Sequence, residues 1–162
     1  MAVNHIQQRG IGYCLPASAQ MAAAQFGKVI PRARITRTLG TIPGLGTPFS
    51  AIERLVEFRF VVEIAEWFGV DSLLLALSEG IGVIAAILTS HDLPGWGNQP
   101  TQHIVLVTAI EAGRVYILRP NPSGGTTYYD PTLVVGPVDV SEDAFGLAWS
   151  EMSELTALIR LA

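Results

Sequence analysis

From Cys14 to Phe26 the chain carries alanines at positions 17, 19, 22, 23 and 24. Pro16 falls in the first turn, where a helix has no use for the missing N–H, and the run stops at Gly27 with Lys28 beside it. Those start and stop signals predict one helix over 14–26. Alanines at this density let neighbouring backbone come close, so the helix is expected to be central and buried. Any fold for this chain must wrap a core around it.

The 162-residue sequence has enough length for that core in one domain. No repeat, low-complexity tract or linker interrupts it, and residues 1–162 are expected as a single unit. Its 1–58 part reads as mainly helical and its 59–162 part as mainly sheet. Shorter helices are predicted near Arg32 to Leu39 and Phe49 to Phe58, with the Gly- and Pro-rich turn Thr41 to Pro48 between them. Phe60 to Ala65 reads as a strand. Ser72 to Glu79 reads as a helix capped by Asp71 and stopped at Gly80, and Gly82 to Leu88 as a buried strand. An irregular stretch, Thr89 to Thr101, carries Trp96; loops of that length are commonly functional. His103 to Ile110 and Arg114 to Leu118 form a hairpin by pattern. Strand character returns over Thr126 to Val138, Ser141 caps a short helix to Trp149, and Leu155 to Leu161 closes the chain as a strand. The fold class is α+β, with helices packed on a mostly antiparallel sheet.

Charge narrows the function. Only 15% of residues are charged, against about 25% in ordinary globular chains, and the net charge is -4. Ten cations against fourteen acids leave no footprint for a phosphate backbone, so nucleic acid is excluded as a partner. The basic cluster Arg32, Arg34 and Arg37 reads as a solvated helix face. The apolar run Ile81 to Leu88 is far short of the roughly 20 residues of a membrane span. Met1 to Gln8 has no basic start or apolar core of a signal peptide, so a cytosolic location is expected. The charge deficit points to an apolar face suited to self-association as a homo-oligomer or to docking a hydrophobic helix.

Cys14 is the one cysteine, which excludes an internal disulfide and a thiolate-rich metal site. His5, His91, His103 and Asp92 lack metal-ligand spacing, so no metal or cofactor is expected. A free Cys is ordinarily a small buried hydrophobe. At a helix start, however, backbone N–H groups and the helix dipole favour a thiolate and lower the thiol pKa. Gln8 stands six residues earlier, with Gly10 and Gly12 between, so the loop can fold back and aim an amide at an oxyanion. His103 opens a strand after the long loop, where an imidazole can serve as general base and acid. There is no G-x-S-x-G elbow and no phosphate-binding G-x-x-x-x-G-K-[ST] loop.

The run Gln8-Arg-Gly-Ile-Gly-Tyr-Cys14-Leu-Pro-Ala, continuing to Gly27-Lys28, resembles the nucleophile segment of the bacteriocin-processing peptidases. These are papain-like enzymes that remove double-glycine leader peptides. His103-Ile-Val-Leu-Val and Val115-Tyr-Ile-Leu resemble the family's histidine strand and its return strand. The resemblance implies a papain-like fold and a cysteine peptidase acting on a peptide or protein substrate. It makes Cys14 the nucleophile, His103 the general base and Gln8 the oxyanion donor. The family's orienting Asp-Pro falls here on Arg119-Pro120, and Arg cannot accept from an imidazole N–H. Asn121-Pro122 is the nearest candidate, Asp130-Pro131 the fallback, and a site with no orienting residue the third option. The residue after the Cys, usually Gly in the family, is Leu15, which is expected to crowd the nucleophile. Trp96 is a candidate wall of the substrate groove. The same constellation would serve peptide hydrolysis, acyl or amide transfer, or a silent peptide-binding module.

Overall fold

The computed structural model describes residues 12–89, 101–118 and 138–162. Helix α1 (Cys14–Gln25) is buried at nine of its twelve positions, as its alanines require, and α2 (Arg32–Leu39) lies against it. Phe49–Phe58 is helical with 3₁₀ geometry, where the sequence predicts only a helix. Its apolar residues Phe49, Ile52, Leu55 and Phe58 recur every third position, and three residues per turn stacks them on one face.

Among the described residues six strands follow: β1 (Phe60–Ala65), β2 (Gly82–Leu88), β3 (Gln102–Glu111), β4 (Arg114–Leu118), β5 (Val138–Ser141) and β6 (Thr156–Leu161). They form one sheet in the order β1-β6-β2-β3-β4-β5, and every described pairing is antiparallel. The C-terminal strand β6 thus inserts between β1 and β2. β3 and β4 are joined through Ala112 and Gly113, both at positive φ (50° and 70°), as a two-residue hairpin matched to strand twist demands. Helices α3 (Val70–Ser78) and α4 (Glu142–Ser150) complete the described elements. Ser141 caps α4 by accepting from the Ala144 N–H at 3.1 Å. Asp71 does not cap α3: the helix begins one residue before it, behind Gly69, and Asp71 sits in the first turn, where its charge still favours the helix dipole.

Alternation along the strands splits the core in two. Ile84, Leu106, Leu118 and Ile159 face α1, α2 and the 3₁₀ helix. Val83, Val105, Val107 and Ile117 face α3 and α4, where Trp149 and Phe145 fill the layer with their rings 5.5 Å apart. The sheet is therefore covered on both faces. Arg34 and Arg37 are exposed on α2, with the Arg34 guanidinium 5.0 Å from the Phe58 ring centre. Leu74, Leu75 and Leu147 are exposed on α3 and α4. Among the described residues, no helix is long and apolar enough to cross a membrane.

Candidate active site

Cys14 and His103 line the same cleft, which encloses about 370 Å³ between the start of α1, the start of β3 and the turn around Gly46. Cys14 opens α1, and the Tyr13 side chain makes no capping hydrogen bond there. The helix-start N–H groups are left for the sulfur. His103 is only 5% exposed, so it is not a solvated histidine at a strand margin.

The join between helix and strand runs through Ile104. Ile104 pairs with Ala86 of β2, yet the Ala86 N–H goes to Leu155 O on the opposite side, at 3.0 Å. In an antiparallel ladder that makes Ala86 and Ile104 a non-hydrogen-bonded pair, so the N–H and C=O of Ile104 face away from β2. The described pairing with β4 reaches only Leu106 and Leu118. The first turn of α1 occupies that side instead. The Ile104 N–H acts to lower the Cys14 thiol pKa, and Ser18 Oγ, one turn along, donates to Ile104 O at 3.3 Å. The nucleophile candidate is thereby held at the strand's edge, beside the residue that follows His103.

The thiol pKa of Cys14 is raised by burial; hydrogen bonds from the backbone N–H groups of Ile104, Leu15 and Cys14 itself pull it down. Burial wins. The helix start acts on the sulfur as the sequence predicts, but the net direction is opposite to that expectation, because the cleft removes water from the thiolate.

Leu15 does not crowd the nucleophile. It is 1% exposed, lies in the α1-side core with Ala19 and Leu106, and is not among the residues lining the cleft. Gly12, on the approach to Cys14, has φ +90°, and a Cβ there would meet the backbone of Gly46. Thr47 Oγ1 donates to Gly12 O at 3.3 Å and shares a 2.7 Å hydrogen bond with Thr41 Oγ1, while Ile42 and Gly46 bridge the turn. This turn, Ser18 and Ile104 are supports that the sequence reading did not single out. Gly and Pro mark the turn itself, but its partner Gly12 and the Ser18–Ile104 bond are far apart in the chain, and no local pattern joins them. Gln8, Trp96, Asn121 and Asp130 lie outside the described residues, as do His5, His91 and Asp92. Among the described residues no group of three or more His, Cys, Asp or Glu is placed to hold a metal ion.

Solved structures with this architecture exist. The peptidase domain of Streptococcus ComA, a bi-functional ABC transporter involved in a quorum sensing pathway, superposes with a TM-score of 0.70 at 16% identity, over 99% of both chains. The fold is that of the C39 peptidase domains. A C39-like peptidase from Bacillus anthracis matches at TM-score 0.68 and 13% identity, covering 99% of this chain and 95% of that one. The double-glycine motif protease of an AMS/PCAT transporter, solved with a leader peptide, matches at 0.66 and 13%, covering 99% and 92%. No family model matches the chain, and no curated relative does. The C39-type fold thus carries the papain-like arrangement of a central helix on an antiparallel sheet that the sequence predicts.

Proposed function

We propose that this protein is a cysteine peptidase that cleaves a peptide bond through a thioester on Cys14. The observation that carries the reading is the shared cleft of Cys14 and His103, with the nucleophile's helix hydrogen-bonded through Ser18 to Ile104, the residue beside His103. His103 takes the thiol proton, and the sulfur attacks the scissile carbonyl carbon. The oxyanion is met by helix-start N–H groups and the Gln8 amide. His103 then gives its proton to the leaving amine, and the thioester remains on the sulfur. Water, deprotonated by His103, attacks the thioester, releases the acid and restores the thiol. In this reading Asn121 orients the imidazole, Trp96 walls the groove, and the protein works in the cytosol. The substrates are leader or precursor peptides, by analogy with the transporter protease solved with its leader.

Trapping tests it. An electrophilic peptide should leave a covalent adduct on Cys14, seen by mass spectrometry, and iodoacetamide should label Cys14 faster than a free thiol near pH 7. His103→Ala should slow both. If wild type forms no adduct and Cys14→Ala leaves any cleavage untouched, the reading is wrong. A second reading, a peptide-binding module of the same fold without turnover, is favoured by the burial of the Cys14 thiol, which raises its pKa. Peptide binding without an adduct would select it.

A further inference from the structure

Helix α1 enters the core with the fully buried Ala19, Ala22 and Ala23 beside the larger Leu15 and Met21, and apolar packing of this kind is non-directional. A directional contact defines the register of the helix on β3 more sharply, and Ser18 makes one. The side chain is fully buried, and its Oγ donates to Ile104 O, 86 residues away in sequence. A buried helical serine can satisfy its hydroxyl locally, on the carbonyl four residues back, which here is that of Cys14. Ser18 instead reaches across to the strand. Ile104 O faces away from β2 for the reason given above, so the hydroxyl takes the place of a strand partner. The bond lies one helical turn from Cys14, about 6 Å along the axis.

We propose that Ser18 is the positioning residue of the site: its bond to Ile104 sets the register of α1 on β3 and so holds the Cys14 sulfur beside His103. This rests on the peptidase reading of Cys14 and His103. Ser18 touches no substrate and acts through the helix alone.

The control is built into the same helix. Gln20 Nε2 donates to Ile30 O at 2.8 Å, a buried side chain-to-backbone bond that leads away from β3. Ser18→Ala and Gln20→Ala each remove one such bond, and alanine is the better helix former at both positions. The measurement is the rate of Cys14 alkylation by iodoacetamide from pH 5 to 10, with thermal melts alongside. Ser18→Ala should move the midpoint of the profile up by about one pH unit, slowing labelling at pH 7 about tenfold. Gln20→Ala should lower the melting temperature while keeping the wild-type profile. A wild-type profile in Ser18→Ala overturns the proposal. So does an equal shift in both variants, or a Ser18→Ala protein that fails to fold where Gln20→Ala folds, since Ser18 is then structural only. Wild-type Cys14 reacting no faster than a free thiol sinks the peptidase reading first and this proposal with it.

Discussion

Gly12 and Gly46 meet backbone to backbone: a Cβ built on Gly12 would lie 2.5 Å from Gly46 Cα and 2.6 Å from its N. The reverse contact is ordinary, with a Cβ on Gly46 3.7 Å from Gly12 Cα. Both residues hold positive φ, +90° and +109°, so each substitution carries backbone strain, but only one adds a steric overlap. Gly12→Ala should therefore cost more stability than Gly46→Ala, by about 1–3 kcal/mol. It should also displace the Tyr13–Cys14 step and slow alkylation of Cys14. Paired denaturant melts and labelling rates check both, and equal costs for the two variants would contradict the packing described.

Leu15 yields a prediction opposite to the one its sequence position suggests. Replacing it with Gly, the residue usual after the nucleophile in the bacteriocin-processing peptidases, does not widen the cleft, because the side chain fills the α1-side core. Leu15→Ala should cost about 2–5 kcal/mol through the cavity it leaves. Leu15→Gly should cost more, with a helix penalty of about 1 kcal/mol added. Neither should speed turnover or labelling of Cys14 in the fraction that stays folded.

The difference between Leu15 and Cys14 shows how far the sequence is legible. Helix α1, strand β2, the β3–β4 hairpin and the Ser141 cap are local patterns, and spacing alone places them within a residue or two. The 3₁₀ geometry of Phe49–Phe58 is not legible: the sequence predicts a helix there, and its apolar residues, with Ala51 and Val56 among them, suit an α-helical stripe as well. What sequence spacing could not supply is anything fixed by tertiary pairing. The insertion of β6 between β1 and β2 depends on backbone partners 71 to 101 positions apart, such as Phe60 with Leu161 at its edge with β1 and Ala85 with Thr156 at its edge with β2. Which way Leu15 points, and that burial outweighs the helix-start N–H groups at Cys14, depend on what the sheet presents there. Ser18 looks like filler in an alanine helix until Ile104 is opposite it.

Ser141 gives a simple test of the α4 layer. Its Oγ accepts from Ala144 N–H, and Glu142 and Asp143 follow in the first turn, where the helix dipole favours them. Ser141→Ala should lower stability by about 1 kcal/mol, and Ser141→Asp should recover most of it. Thermal melts decide; an unchanged melting temperature in Ser141→Ala would mean the end of α4 does not depend on its cap.

The alkaline limb of the stability profile reports on Cys14. Burial raises its folded-state pKa above the unfolded value, so between the two the native protein binds more protons than the unfolded chain. That contribution is fully present below the ordinary thiol pKa, about 8.5, and is lost as pH rises through the folded value. Wild type should therefore lose melting temperature above about pH 8.5 more steeply than Cys14→Ser, while the two run parallel from pH 6 to 8. The difference between the curves isolates the thiol from tyrosines and lysine, which titrate in both proteins. If the gap instead opens on the acid side, with wild type losing stability below pH 7 relative to Cys14→Ser, the thiol is already ionised in the resting protein. His103 is the base within the cleft that would hold its proton, and that result would favour the peptidase over the silent module.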